Sequence, residues 1–388
     1  MLKLTMGKVS IAASLADIWV NCTGSATLRA KYKLPDENKQ SRKEGLTFHD
    51  LAKQVIEMIT HPRIDAPIPG DFINTISVHD VLITQEMYEA SVEYANDIFR
   101  CCNQKRILGE VQIEKETMLP VFGEGERCHP DVFVIDKDHK EIFIWDAKFG
   151  HSIVEVYENY QLLIYLMGIT QNGDWSGWKV NLTIYQPRAR HPLGISRTWS
   201  DSYENMATYF DKIIFAAYET KSGEGKLTPG RHCKQCVGKR ACVANERAVF
   251  DIIDLVKYSD DTSELKGNEL SLELSLLRDA KLLVESRYDA LNAQAKYEML
   301  NGAPLPGQKL ETIYGNTVFD KLKITELLTI GDLMKIDLRK PEDVITPKQA
   351  IAVGLDENIV SQYSKTNKNG VKVVADDGTL AKLIFGGS

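Results

Sequence analysis

The sequence predicts an α/β fold whose C-terminal region is mainly helical, and three observations carry that expectation. Apolar residues recur at helical spacing on both sides of the centre of the chain. Between those flanks lie short β-branched and aromatic runs of strand length. Beyond about residue 257 a polar stretch intervenes and leucine-rich helical spacing takes over.

Residues 8–60 have largely helical spacing, interrupted at Asn21-Cys22-Thr23-Gly24-Ser25, with one helix expected from about Lys43 through Ile59. The proline-rich residues 61–71 end it. Residues 85–101 carry Met87, Ala90, Val92, Tyr94, Ala95, Ile98 and Phe99 on a helical period. The character then changes. Residues 111–119 alternate with a period near two, and the runs 132–135 and 142–145 flank a charged turn, which is a hairpin signal. Residues 155–169 return to helical spacing, 179–186 form a strand closed by Pro187, and 201–218 form a helix. Residues 258–268 have the composition of a linker, 271–300 a long helix, and Thr346-Pro347 the cap and first residue of another helix. The domains expected are therefore 1–250, a linker at 251–270, and an accessory region at 271–388.

Bulk properties narrow the classes. A chain of 388 residues can bury a large core without disulfides, and it has no apolar run near the roughly 20 residues that span a bilayer. Its first residues lack the apolar core of a secretion signal. A cytoplasmic protein without membrane segments is expected. The net charge of -7 excludes a wholly basic nucleic-acid coat but not local phosphate contacts. Seven cysteines, an odd number, argue against a disulfide framework and direct attention to close spacings.

The hairpin carries the first chemistry. Asp131 begins one of its strands and Asp146 ends the other, so its open end brings the two carboxylates together. Lys148, two residues beyond Asp146 on an extended strand, leaves the same face. Paired carboxylates hold a hard cation such as Mg²⁺, and a neighbouring ammonium can orient water and offset developing charge. Asp-x-Lys alone is common, but two further features join it. Gln161 and Tyr165 stand one helical turn apart in the helix that follows, and His49 ends Gly45-Leu46-Thr47-Phe48-His49 on an upstream helix.

The second chemistry is in the thiols. Cys233-x2-Cys236-x5-Cys242 places three sulfurs within ten residues, which points to a metal needing a fourth ligand. His232 and Cys22 are the two candidates.

Gly45-x3-His49, Pro130-Asp131, Asp146-x-Lys148 and Gln161-x3-Tyr165, in that order, resemble the RecB-type branch of the PD-(D/E)XK nucleases. The likeness implies a restriction-endonuclease-like core, a mixed central sheet flanked by helices. It also implies His49, Asp131 and Asp146 as ligands of Mg²⁺ or Mn²⁺, Lys148 as the hydrolytic lysine, and Gln161 and Tyr165 as supporting residues. One departure is the stretch Glu126-Arg127-Cys128-His129-Pro130, where the family often has a glycine. Iron–sulfur members, such as the AddB nuclease domain and the CRISPR-adaptation exonucleases, place one cysteine before these motifs and three after. Cys22, Cys233, Cys236 and Cys242 fit that arrangement, implying a [4Fe–4S] cluster, with zinc as the alternative.

The pattern is similar to a phage-encoded group of RecB-like proteins. It implies an exonuclease acting on DNA in recombination or replication, in the host cytoplasm, beside a single-strand-binding or annealing protein. The alternative is a catalytically inactive nuclease fold kept as a DNA-binding or assembly module. Arg188, Arg190, Arg197, Lys234, Lys239 and Arg240 are candidates for phosphate contacts, and Trp199 or Tyr185 for stacking on a base.

Overall fold

A computed structural model describes residues 11–32, 39–60, 69–107, 110–257, 267–319, 323–340 and 343–375. The chain forms two compact units, Met1–Arg287 and Tyr288–Ser388.

The first unit begins with α1 (Ala16–Asn21), α2 (Ser25–Lys31), α3 (Lys39–Thr60), α4 (Pro69–Phe72) and α5 (Gln85–Lys105). Short strands β1 (Gln112–Ile113), β2 (Thr117–Met118) and β3 (Arg127–Cys128) lead into β4 (Val132–Asp136) and β5 (Glu141–Ala147). After α6 (Tyr160–Ile169) come β6 (Lys179–Tyr185), β7 (Ser196–Ser202), α7 (Tyr203–Ala207), α8 (Phe210–Ser222) and α9 (Val243–Lys257). The helix α10 (Asn268–Leu300) runs across the boundary between units.

Five strands form one sheet in the order β1-β4-β5-β6-β7. β4 and β5 are the antiparallel hairpin, turned at Asp136, whose carboxylate caps the His139 amide at 3.1 Å. β5 and β6 are parallel, joined through α6, and β7 returns antiparallel to β6. Every residue of β5 and β6 except the first is buried, as expected of central strands covered on both faces. Alternation divides them. Ile142, Ile144, Leu182 and Ile184 pack with α1, α6 and α8, whereas Phe143, Trp145, Ala147 and Tyr185 pack with α3 and α5.

This is the α/β architecture expected, a mixed sheet between helices, consistent with a restriction-endonuclease-like core. Boundaries differ where side chains capture the backbone. Residues 155–159 are not helical because Asn159 caps α6, accepting from the Leu162 amide at 3.1 Å. Residues 111–119 form two separate two-residue strands, because Glu114 turns at φ 44 and donates its amide to the Asp131 carbonyl. Strand β7 has no counterpart in the sequence reading, and it takes in residues 201 and 202, where a helix is expected to begin. Only Arg197 and Trp199 are buried in it, too few to make an apolar alternation.

α6 is apolar nearly all round because it is enclosed, and Gly168 lets it approach the short strands. A Cβ there would lie 2.6 Å from Thr117 Oγ1 and 3.0 Å from Cys128 Sγ. Gly168→Ala is expected to destabilise the first unit by about 1–3 kcal/mol, read as a lower melting temperature. An unchanged transition would show that the contact relaxes freely.

The second unit contains β8 (Gln308–Phe319), α11 (Ile324–Leu333), β9 (Arg339–Lys340), β10 (Asp343–Val344), α12 (Pro347–Ala352), α13 (Glu357–Tyr363) and β11 (Ser364–Ala375). The helical C-terminal region therefore also carries a long antiparallel ladder, β8 with β11, which its sequence did not announce. Leu327, Leu338, Ala350, Leu355 and Val360 form a small core beside Phe319. Thr346 caps α12 in a capping box with Gln349, as its sequence predicts. Residues 258–266 of the expected linker, 61–68 of the proline-rich stretch, and the first residues of the chain lie outside the described residues. No helix among the described residues is long and apolar enough to cross a membrane.

Candidate functional site

The hairpin ladder pairs Val132 with Trp145, so its next step sets Asp131 opposite Asp146 at the end of the sheet. Directly opposed residues have Cβ atoms roughly 5 Å apart. Two carboxylates that close repel one another unless something separates their charges, and several groups do so here. The Ala147 amide donates to Asp131 Oδ2 at 2.8 Å, and His49 Nδ1 from α3 lies 3.2 Å from the same oxygen. On the other side, Lys148 Nζ lies 2.7 Å from Asp146 Oδ2. Gln161 of α6 ties the set together: it accepts from Lys148 at 2.9 Å and donates to Asp146 Oδ1 at 2.8 Å. Its amide also donates to the Tyr165 hydroxyl at 2.6 Å. All six residues named from the motifs thus lie together at one end of the sheet.

The two carboxylates differ in environment. Burial pushes the Asp146 carboxyl up, and the Asp131 charge adds to that, against the pull of Lys148. Burial also opposes the Asp131 charge, but His49, Lys148 and the Ala147 amide together hold that carboxyl below its ordinary value. His49 is disfavoured as a cation by burial, yet Asp131 outweighs this and raises it above the ordinary imidazole range. Asp146 is 1% exposed, and the Lys148 ammonium, 2.7 Å from Oδ2, is the cation beside that buried oxygen. Two carboxylates beside an imidazole are a donor set whose chemistry fits a divalent cation.

A small cavity lies against this cluster, lined by His49, Lys53, Tyr94, Glu114 and Asp131 among others. Of its polar residues, Lys53, Tyr94 and Glu114 belong to no sequence motif. Glu114 pairs with Lys53 at 2.9 Å, and the Tyr94 hydroxyl is buried with no hydrogen-bond partner among the described residues. Their only sequence trace is ordinary: an acid in a strand-like run and a tyrosine on a helix face.

The candidate nucleic-acid residues fare unevenly. Arg197 is buried and spends its guanidinium on the Gly194 and Val154 carbonyls and on Gln186, so it is no phosphate ligand. Tyr185 is interior, its hydroxyl donating to the Ala90 carbonyl, and cannot stack on a base. Arg188 lies over the Phe149 ring and pairs with Glu44 and Glu86. Trp199 is covered. Arg190 and Lys234 remain exposed, Lys239 and Arg240 half-buried.

The cysteines form a second site. Cys22, Cys233, Cys236 and Cys242 are all buried and line one cavity, together with Thr228, His232 and Lys239. Cys22 closes α1, and the turn after it locks to residues 225–228: the Gly24 amide donates to the Lys226 carbonyl at 2.9 Å. A Cβ on Gly225 would lie 2.4 Å from the Thr23 carbonyl, so glycine is required for that approach. Amides point at the sulfurs: Thr228 to Cys22 at 3.3 Å, Gly230 to Cys233 at 3.4 Å, Asn245 to Cys242 at 3.5 Å. Such donors favour thiolates, whereas burial and the three other thiols push Cys22 up to about 11. Four buried sulfurs with amide donors at hand are a donor set whose chemistry fits a metal centre.

His232 faces the same cavity but gives Nε2 to the Thr228 carbonyl at 2.9 Å. Among the described residues no three His, Cys, Asp or Glu groups close round a single ion. Zinc would need its sulfurs about 2.3 Å from one point. Magnesium makes no comparable demand on the carboxylate site, since it keeps several waters and takes one or two carboxylates.

A model of the family described as "protein of unknown function (DUF2800)" matches residues 9–326, well over half of the chain. The chain belongs to the DUF2800 family. The span of the DUF2800 match includes every residue of both candidate sites. No curated protein matches the chain. Among solved structures, a candidate exonuclease from Eubacterium rectale is 11% identical, covering 57% of this chain and 85% of its own, with a TM-score of 0.31. The protein SSO0001 is 14% identical, covering 61% and 98%, with a TM-score of 0.22. Likenesses at such TM-scores bear no weight on activity.

Proposed function

We propose that this DUF2800 member is a divalent-metal-dependent DNA nuclease. The observation that carries the reading is the gathering of His49 paired with Asp131, and of Asp146, Lys148 and Tyr165 bonded to Gln161, at one end of a mixed sheet. The motif order supports the same reading, with DNA as substrate, exonuclease action and a place in phage-type recombination or replication.

His49, Asp131 and Asp146 would hold Mg²⁺ or Mn²⁺, which when bound polarises a phosphoryl oxygen and lowers the pKa of water. The protein does the rest. Lys148 presents an ammonium where negative charge grows on the phosphate, and Gln161 fixes its direction. The Ala147 amide keeps Asp131 ionised and aimed. Tyr165 holds Gln161 from the far side. The four thiols would hold a [4Fe–4S] cluster that clamps the start of the domain to its end, with zinc as the alternative.

The test is a cleavage assay on end-labelled single- and double-stranded DNA, with protein purified anaerobically, with Mg²⁺, Mn²⁺ or EDTA. Metal-dependent shortening supports the reading. Tight DNA binding without cleavage on either substrate would favour an inactive binding module instead.

A pH dependence follows from His49. The imidazole must shed its proton to act as a ligand, and Asp131 raises the pH at which it does so. Mn²⁺ affinity should be weak below that raised value and strengthen as pH rises through it, with proton release visible in calorimetry across buffers. Affinity flat from mildly acidic to mildly alkaline pH would remove His49 from the ligand set.

A further inference from the structure

The segment 149–159 joins Lys148 to the helix that carries Gln161, and it is unusually well held. Gln186, fully buried, donates to the Gly150 and Ser152 carbonyls at 2.9 and 2.8 Å and accepts from the Val154 amide at 3.1 Å. Arg197 adds a bond to the Val154 carbonyl at 2.9 Å. At the end of this clamped segment Tyr157 is 61% exposed, a large aromatic ring facing solvent. It does not hang free. Its ring centroid lies 5.0 Å from that of Trp199, and Trp199 meets Tyr209 edge-on at 5.8 Å. Glu158, at φ 53, turns the chain behind it and accepts from the Tyr209 hydroxyl at 2.7 Å. An unfavourable backbone conformation is thus held in place so that one ring stands outward on a rigid aromatic base.

Sheet register locates that ring relative to the cluster. Asp146 pairs with Ile184, and Ile184 with Arg197, so Trp199 is two strands over and two residues along. With strands about 4.8 Å apart and about 3.4 Å per residue, the Cα atoms of Asp146 and Trp199 are about 12 Å apart. Both belong to the α6 face: Trp199 packs with Ile142 and Ile144, whose alternation Asp146 and Lys148 continue. The ring therefore sits within a few nucleotides of the site, on its own side of the sheet.

We propose that Tyr157 is a stacking platform for an unpaired base, and that the substrate class is DNA whose cleaved end is single-stranded. This rests on the nuclease reading of the cluster. Glu158 is committed to the Tyr209 hydroxyl and Glu155 lies 3.7 Å from His191 Nε2, so what Tyr157 offers a strand is its exposed π-face. Every base has a π-face, so the contact would discriminate strand state rather than sequence. Paired bases inside a duplex offer no free face to the ring.

The test uses the full-length chain with EDTA in place of a divalent cation, so that DNA is held uncut. Affinity is measured by fluorescence anisotropy for a labelled oligothymidylate and for a blunt duplex. Tyr157→Ala should weaken oligothymidylate binding about 10-fold while leaving the duplex unchanged, and Tyr157→Trp should restore it. A 2-aminopurine in a single strand should be quenched with Tyr157 and bright with alanine, a signature that a merely structural role would not move. Oligothymidylate binding equal in the tyrosine and alanine forms, or an equal loss on both substrates, overturns the proposal. Wild-type cleavage of DNA with Mn²⁺ is measured in parallel. If the wild type cuts while Tyr157→Ala binds normally, the stacking role alone falls; if the wild type neither binds nor cuts any DNA, the nuclease reading falls with it.

Discussion

Lys148→Ala is expected to reduce metal-dependent DNA cleavage by about 10²–10³-fold or more, the loss usual for a group that stabilises charge only in the transition state. The expectation comes from its setting. Lys148 is the ammonium in contact with the buried Asp146 carboxylate among the described residues, and Gln161 orients it. On the nuclease reading, removing it would take away the ammonium that faces the phosphate, and it also leaves Asp146 uncompensated at 1% exposure. A loss of rate could thus be confused with a loss of folding. Circular dichroism and Mn²⁺ calorimetry separate the two, because a folded variant that still binds Mn²⁺ but does not cut has lost only the ammonium. Gln161→Ala should cost less, since it disturbs the direction of Lys148 and not its charge. Equal cleavage by wild type and Lys148→Ala would end the nuclease assignment.

Cys236→Ser should have the largest effect on stability of any single substitution in the first unit. Metal centres that organise a fold contribute free energy on the order of 10 kcal/mol, more than most domains possess in total. Here the sulfurs link the end of α1 to the segment 233–242, and close backbone contacts at Gly24 and Gly225 leave little slack between them. The serine variant should lose visible absorption and iron, and protease should cut first near residues 22–32 and 226–242. Cys22→Ser should behave alike if the set is truly fourfold. Wild-type protein with zinc but no iron would redirect the assignment to the alternative metal. Neither metal, with an unchanged melting temperature in the variant, would sink the thiol centre altogether.

Much of the site was legible because its chemistry lies at fixed spacing on regular elements. Asp131 and Asp146 are set by hairpin register, Lys148 by strand alternation, and Gln161 with Tyr165 by one helical turn, so local rules suffice for each. His49 could be joined to them only through resemblance, since nothing local says that α3 passes the end of the sheet. Lys53, Tyr94 and Glu114 escaped for the same reason: three elements meet there, and none of the residues has an unusual neighbour in sequence. Tyr185 and Arg197 misled because residue type suggests a surface role, whereas the side chains are committed to buried carbonyls. Strand β7 was missed because a polar edge strand buries too little to show a period. The β8–β11 ladder joins segments on either side of three helices, and pairing across such a distance leaves no local mark.

The contact between Cys22 and the Lys226 carbonyl spans 204 positions of chain. On a ribosome adding about 5–20 residues per second, α1 must therefore wait roughly 10–40 seconds for the segment that secures it. During that interval Trp19, wholly buried in the finished protein, has no native partner from α8 or the residues beyond it. Synthesis rate and chaperone supply should govern the yield of this protein more than its final stability does.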